Sequence, residues 1–376
     1  MALSTSIYTS CFNSALLPSV RIPSCILLSI EICFMHFFFI LTHALVIIGI
    51  MKHLTMKYEG PLYTSSLLDF YFSGMRIGVL DIETTGLNPA RNKFILGGLL
   101  DLQAMTMHQY FAENRGEERQ VLEDFAEKVS GLDMVITYNG RHFDMPFINR
   151  RLQRFSAGSC TPYDLDLYLV VNGHSPIKKF VPNLKQKTVE SYMGLWQNRA
   201  DEISGAESVE LYDRYEKTGD PELCRKILLH NSDDVLQLAR LLKVVSKTDF
   251  HKAMFHLGFP VCGLNVEKIG ISGSIMTVSG SQRAEPFDYT GFSFGDYPAE
   301  IRFSRRDSDF HIKFPVIRDS GLVIADLDAA GLPREDFAIY PSYSSGFIVL
   351  EDHDRKNHME INQFIRDFIK SFIRNL

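Results

Sequence analysis

The chain has 376 residues, 45% of them hydrophobic and 22% charged, with a formal net charge of −6 and a sequence pI near 6.1. That length gives room for two domains with packed cores, and the acidic balance argues against a strongly basic, non-specific nucleic-acid coat. Six cysteines (Cys11, Cys25, Cys33, Cys160, Cys224 and Cys262) show no CxxC or zinc-ligand rhythm and read as buried or incidental thiols of a reducing cytoplasm.

Residues 1–74 form an N-terminal extension. From Cys25 to Ile50 the only acid is Glu31, and apolar side chains such as Phe37-Phe38-Phe39-Ile40-Leu41 dominate over a length sufficient to cross a bilayer. Three readings compete: a membrane anchor, a signal peptide, and sequence upstream of a start at Met51, Met56 or Met75. The long apolar run without an evident cleavage site weighs against the signal peptide. Basic residues lie on both sides, at Arg21 and at Lys52 and Lys57, so no orientation is readable.

The region 75–258 alternates strand-like and helical runs. Arg76–Ile82, Phe94–Asp101, Met107–Ala112 and Met134–Tyr138 read as strands. Glu118–Ser130 reads as a helix with Val121, Leu122, Phe125, Ala126 and Val129 as its apolar stripe; Pro146–Phe155, Leu184–Met193, Pro221–His230 and Asp233–Lys247 add further helices. Ser204–Asp220 is an acid-rich helical or loop insertion with no assigned chemistry. The alternation predicts an α/β domain, a mixed sheet flanked by helices.

Chemistry-bearing residues sit at three places in this pattern. Asp81 and Glu83 end the apolar run Ile77-Gly78-Val79-Leu80 and, two apart on a strand, point the same way. A carboxylate pair in an apolar strand costs several kcal/mol, on the order of ~2–7 per unpaired polar group, unless a cation or proton neutralises it. It is either a solvated strand end or a pair of hard oxygen ligands for Mg²⁺ or Mn²⁺. Gly86, after Thr84-Thr85, reads as a tight turn. Downstream, a turn at Asn139-Gly140 leads to a helix near Pro146, so Asp144 caps that helix or reaches into a site. His230 and Asp234, four apart, share a helix face and are either a surface pair or a ligand beside a proton-handling group.

Taken in order, Asp81-Ile82-Glu83-Thr84-Thr85-Gly86-Leu87, Asn139 with Phe143-Asp144, and His230 with Asp234 resemble the acidic motifs of the DEDD (DnaQ-like) 3′–5′ exonucleases of the ribonuclease-H-like superfamily. The segment Tyr163–Leu195 looks most like YprB-type proteins of that superfamily, and the resemblance covers roughly residues 75–250. It implies a ribonuclease-H-like fold and a two-metal phosphodiesterase. Asp81, Glu83, Asp144 and Asp234 would hold two Mg²⁺ or Mn²⁺ ions, and His230 would orient or deprotonate the attacking water. Thr84, Thr85 and Leu87 would line the pocket of a terminal nucleotide, with Asn139, Phe143 and Arg141 also contacting substrate, and the partners would be single-stranded DNA or RNA 3′ ends. The third motif departs from the common subtypes, since histidine lies four residues before the last aspartate; Asp233 stands as a substitute for Asp234. A non-catalytic nucleic-acid-binding or scaffold module on the same fold is the alternative. A nuclease of cytoplasmic nucleic acid has no need of the apolar stretch, which favours the upstream start and a cytoplasmic location over a membrane anchor.

Between Asn139 and Arg199, nine basic residues (Arg141, Arg150, Arg151, Arg154, Lys178, Lys179, Lys185, Lys187, Arg199) face four acids, Asp144, Asp164, Asp166 and Glu190. This local excess is read as phosphate contacts, with Phe155, Tyr163 and Phe180 as stacking groups, against a solvated surface with ordinary core aromatics.

From Asn265 the pattern becomes short strands, at Lys268–Val278, Glu300–Phe303, His311–Phe314, Gly321–Asp326, Phe337–Tyr340 and Gly346–Leu350, ending in a helix striped by Ile361, Phe364, Ile365, Phe368, Ile369, Phe372 and Ile373. Residues 265–376 are thus a smaller α+β module. Its striped helix must pack on the sheet or on a partner. Structural packing is favoured over a substrate-gripping role.

Overall fold

Residues 53–195, 200, 203–283 and 285–376 are described by a computed structural model of the chain. The apolar stretch at 25–50, and with it the choice among anchor, signal peptide and upstream sequence, lies outside the described residues, as do Cys11, Cys25, Cys33 and Arg199. Among the described residues, no helix is long and apolar enough to cross a membrane.

The chain runs through β1 (His53–Lys57), α1 (Ser66–Phe72), β2 (Ile77–Thr84), β3 (Phe94–Asp101), β4 (Thr106–Phe111), α2 (Glu118–Ser130), β5 (Met134–Thr137), α3 (Asp144–Phe155) and β6 (Tyr163–Asp166). Helices α4 (Leu167–His174), α5 (Gln186–Tyr192), α6 (Gly205–Thr218), α7 (Pro221–Leu241) and α8 (Phe250–Leu257) follow. The six strands form one sheet in the order β1-β4-β3-β2-β5-β6, antiparallel from β1 to β2 and parallel from β2 to β6.

β3 is apolar from Phe94 to Leu100 because both of its faces are covered, and two adjacent glycines set how closely. A Cβ at Gly97 would run into the Phe125 ring of α2, and one at Gly98 into the Asn231 side chain of α7. The stripe Val121, Leu122, Phe125, Ala126 and Val129 of α2 is buried as its spacing predicts. α7 starts where Asp220 accepts from the Glu222 N–H with Pro221 in the first turn. It then runs unbroken through Asn231 and Ser232, where two helices were expected, and passes into a 3₁₀ segment at Leu242–Lys247. Both polar residues are buried, so their break in the apolar pattern marks an inward-facing polar patch. The Ser204–Asp220 insertion is largely α6, begun by a Ser204–Glu207 capping box.

The remaining strands are β7 (Phe259–Val261), β8 (Leu264–Ser272), β9 (Ile275–Gln282), β10 (Tyr289–Gly291), β11 (Glu300–Ser304), β12 (Asp309–Pro315), β13 (Ile317–Asp319), β14 (Leu322–Asp326), β15 (Tyr343–Ser344), β16 (Phe347–Asp352) and β17 (Arg355–Lys356). They form two antiparallel sheets, β10-β11-β12-β9-β8-β7 and β13-β14-β16-β15, with β17 paired to β16. The run Lys268–Val278, read as one strand, is a hairpin folded at Gly273, whose φ of +56° suits glycine. Phe337–Tyr340, also read as a strand, is a turn after a 3₁₀ segment; its two buried aromatics are three apart, a helical rather than an alternating spacing.

The terminal helix α9 (His358–Arg374) buries Ile361, Phe364, Ile365, Phe368, Ile369 and Phe372, with Phe314 of β12 edge-on to Phe364 and Phe368. Each such side chain contributes about 1.5–3 kcal/mol, so the stripe is closed within its own chain. Asn362 Nδ2 donates to Tyr71 Oη at 2.8 Å and to the His251 carbonyl at 2.9 Å, and the Arg366 guanidinium lies 4.2 Å from the Phe70 ring centroid. α9 therefore joins the second sheet to α1 and α8.

Candidate active site

The carboxyl-terminal half of β2 is where one edge of the strand loses its partner. β5 pairs only with Ile77, Gly78 and Val79, so the edge beyond is open, and Asp144 fills it: its Oδ1 accepts from the Ile82 N–H at 3.2 Å. Asp144 is the first residue of α3, and Phe143 holds the cap position without a side-chain bond. Burial, and next to it the Asp164 carboxylate, push Asp144 up to about 8.

Asp81 pairs with Gly98 across the β2–β3 ladder. Asn231 Nδ2 donates both to the Asp81 carbonyl, at 3.2 Å, and to its Oδ2, at 3.1 Å, while Gln109 Nε2 donates to Asn231 Oδ1 at 3.1 Å and to the Leu228 carbonyl at 2.8 Å. Desolvation holds the Asp81 carboxyl well above its ordinary range, and the carboxylates of Asp234, Asp144 and Glu83 push the same way. Four acids from β2, α3 and α7 thus share one electrostatic field.

His230 is buried between two of them. Its Nε2 lies 3.7 Å from Glu83 Oε1 and 3.6 Å from Asp234 Oδ2, bridging β2 and the next turn of α7. Asp233 turns elsewhere and accepts from the Ala200 N–H at 2.5 Å. The Asp234 carbonyl receives Gln186 Nε2 of α5 at 3.1 Å.

The loop after β2 is tightly specified. Thr84 Oγ1 donates to the Gly86 carbonyl at 2.9 Å, Thr85 Oγ1 accepts from the Lys93 N–H at 2.9 Å, and Gly86 has φ +146° with the Asn92 amide where a Cβ would go. Leu87 stands 81% exposed at its tip. Behind it, Arg151 and Glu118 form a buried two-point ion pair with both bonds at 2.6 Å; Arg151 Nη1 also donates to the Pro89 carbonyl at 3.0 Å, and Glu118 Oε1 accepts from the Phe94 N–H at 3.0 Å.

Several basic and aromatic residues expected at substrate are built into the protein instead. Arg141 donates to the carbonyls of Asp164 (2.9 and 2.7 Å) and Leu257 (2.7 Å) and lies over the Tyr163 ring. Tyr163 is buried with its hydroxyl on the Gly258 carbonyl at 2.7 Å, and Phe155 lies under the Arg151 guanidinium. Arg154, by contrast, stays exposed with one bond to the Ala90 carbonyl at 3.3 Å. Charge and ring chemistry alone do not reveal that a backbone carbonyl or a core is the partner. Asn139, at φ +70°, has its N–H held by Asp166 Oδ1 at 2.8 Å, and Phe143 packs at 5.7 Å from Phe147.

Sequence reasoning passed over Asn231, Gly98 and Gln109, and counted Asp164 and Asp166 only as charges. Asp166 caps α4 and also accepts from the Arg141 N–H, fixing the motif turn. Asp164 is buried, takes the Thr137 hydroxyl at 2.6 Å on Oδ1, has no hydrogen-bond partner on Oδ2 among the described residues, and is raised to about 7 chiefly by burial. An Asp-x-Asp inside a short strand was the available signal.

The donor set suits a divalent cation in chemistry and charge: hard carboxylate oxygens, crowded and partly dehydrated, whose repulsion a cation would relieve. Among the described residues, however, no three His, Cys, Asp or Glu groups already converge into a ready-made metal cage.

Residues 79–246 match a family model described as the RNase_H superfamily, in agreement with the mixed, helix-flanked sheet, and the fold is ribonuclease-H-like. The chain is 26% identical over 181 residues to uncharacterized protein MJ0365 of Methanocaldococcus jannaschii, covering 46% of this chain and 96% of that protein. It is 25% identical over 192 residues to uncharacterized protein YprB of Bacillus subtilis, covering 44% of this chain and 41% of YprB, less than half the length of that relative. Among solved structures it is similar to the family B DNA polymerase of Pyrobaculum calidifontis (TM-score 0.38, 19% identity, 46% of this chain and 24% of that one) and to a structure described as the apo form of a nuclease (TM-score 0.31, 17% identity, 49% and 77%).

Proposed function

We propose that the chain is a metal-dependent 3′–5′ exonuclease that hydrolyses phosphodiester bonds of single-stranded DNA or RNA. The observation that carries this reading is the half-buried Asp81 carboxylate in the shared field of Glu83, Asp144 and Asp234, with the His230 imidazole between Glu83 and Asp234. A structural role does not require four acids to be held together at such cost; a cation-assisted reaction does.

Asp81, Glu83, Asp144 and Asp234 are the residues that would hold Mg²⁺ or Mn²⁺. Bound there, two such ions supply charge neutralisation and a more acidic water. Asn231 fixes the Asp81 carboxylate from behind, and Asp144 holds its own position through the Ile82 N–H. His230, flanked by two carboxylates, would orient or deprotonate the attacking water. The loop at 84–87 offers the exposed Leu87 as an apolar wedge against a terminal base. Asn139 and Phe143, beside Asp144, complete the wall. The 3′–5′ polarity is taken from the motif resemblance.

Incubating the protein with end-labelled single-stranded DNA and RNA, with and without Mn²⁺, and resolving product lengths over time tests the proposal. A metal-dependent ladder shortening from the 3′ end is expected, and it is abolished in Asp81→Ala while strand binding persists. Strand binding without any metal-dependent product would assign the domain to the non-catalytic alternative.

A further inference from the structure

We propose that Phe180 and Tyr192 form a clamp that stacks an unpaired base of single-stranded nucleic acid, feeding the strand toward the acidic site. The choice of ligand rests on the nuclease reading above. Phe180 is 67% and Tyr192 46% exposed, although both are large aromatic side chains. Their rings are nearly parallel, 17° apart, with centroids separated by 6.5 Å. The other near-parallel aromatic pairs among the described residues, such as His53–Tyr110 at 4.3 Å, Phe287–Phe303 at 4.6 Å and Phe303–Phe310 at 5.6 Å, sit closer. The centroid separation of 6.5 Å is roughly twice the ~3.4 Å step of a stacked strand, and in the proposed complex one base enters between the two rings.

Charge around the pair selects the same ligand. Lys178, Lys179 and Lys185 are exposed, and Lys187 is half-buried with its Nζ on the Ile203 carbonyl. Between residues 172 and 195 the only acid is Glu190, which is fully buried and receives Gln186 Nε2 at 2.9 Å. The solvent-facing charge of this strip is therefore positive, matched to phosphates, while exposed aromatics serve bases of any sequence. Val181, Pro182, Thr188, Ser191 and Tyr192 line a shallow depression beside it.

The clamp is coupled to the acids through one helix. Tyr192 ends α5, and Gln186 at the start of α5 donates to the carbonyl of Asp234, the acid that α7 contributes to the site. A strand held by the rings and lysines thus lies on an element that touches the site's backbone directly.

The test is fluorescence anisotropy of short labelled single strands with the full chain in EDTA, where hydrolysis is suppressed. Phe180→Ala with Tyr192→Ala is expected to weaken binding roughly 5- to 100-fold with an unchanged unfolding midpoint, whereas Phe180→Tyr with Tyr192→Phe stays near wild type. A strand of equal length that is abasic at internal positions but keeps its 3′-terminal nucleotide should bind the wild type correspondingly more weakly, and the double alanine variant should not distinguish it from the normal strand. If the double alanine variant binds normal strands as tightly as wild type, or loses equal affinity for abasic and normal strands, the clamp is overturned; hydrolysis by the wild type in Mn²⁺ then still supports the nuclease reading. A base-dependent loss of binding in a protein that never hydrolyses in Mn²⁺ supports the clamp and overturns the nuclease reading instead.

Discussion

Asn231 and Asp81, 150 residues apart in the chain, are joined by two hydrogen bonds from one amide group, 3.2 Å to the Asp81 carbonyl and 3.1 Å to its carboxylate. The bond is possible because the residue opposite Asp81 in the sheet is glycine: a Cβ at Gly98 would occupy the place of the Asn231 side chain. A backbone choice on β3 and a neutral polar residue on α7 therefore jointly set the direction of the acid on β2.

That arrangement predicts a strong coupling between two mutations. Gly98→Ala should destabilise the protein by forcing Asn231 aside, and Asn231→Ala by about 1–3 kcal/mol through the donors and acceptors it leaves buried and unmet. With Asn231 already truncated, the three atoms nearest that Cβ are gone, and Gly98→Ala should cost less. Urea denaturation of the two single variants and the double variant would show a coupling of at least about 1 kcal/mol; simple additivity would mean that Gly98 does not make room for Asn231.

The raised acids give a pH prediction with a definite sign. A carboxyl whose folded-state pKa lies above its unfolded value binds its proton more tightly in the folded protein, so stability is lost as pH climbs from the unfolded value, 3.8, toward the folded one, about 8 for Asp144. In EDTA the protein should therefore lose stability between about pH 4 and pH 8. Asp144→Asn keeps an oxygen for the Ile82 N–H yet carries no charge, so it should flatten that slope and exceed wild type by about 1–3 kcal/mol at pH 8. Denaturation midpoints across this range check it; a variant less stable than wild type at pH 8 contradicts the assignment.

These two relationships mark the boundary of what the sequence discloses. The acids Asp81, Glu83, Asp144 and Asp234 stand out locally because a charge beside an apolar run is anomalous wherever the run ends up. Strand Phe94–Asp101 and helix Glu118–Ser130 are equally legible, since their apolar spacing is continuous. Asn231, Gly98 and Gln109 carry no such anomaly; their roles exist only once α7 crosses β3. Strand Tyr163–Asp166 escapes notice because it is only 4 residues long and two of them are aspartates, a residue type depleted in strands. Arg141 misleads for the complementary reason, a cation whose partners are backbone carbonyls that no side-chain pattern announces.

The Arg151–Glu118 pair anchors the loop that carries Leu87. Both side chains are only 3% exposed, so removing one leaves the other charged and buried. Arg151→Ala should cost about 3–5 kcal/mol and also release the Pro89 carbonyl. Hydrogen exchange is expected to accelerate at residues 86–94, including the Phe94 N–H that Glu118 accepts. Unchanged exchange there would show that the loop holds its shape without the pair.

His230 is the residue whose role can be separated most cleanly from its neighbours. Its Nε2 stands 3.7 Å from Glu83 and 3.6 Å from Asp234, within the same field that a divalent cation would enter. Replacing it with glutamine removes the proton carrier but leaves all four carboxylates. Turnover should then fall about 10²–10⁴-fold, whereas Mn²⁺ affinity, followed by calorimetry, should stay level. A fall in metal affinity equal to the fall in kcat would mean that His230 serves as a ligand, and the proton-handling role would have to be given up. Because metal affinity holds under one role and falls with kcat under the other, a single variant measured both ways decides between them.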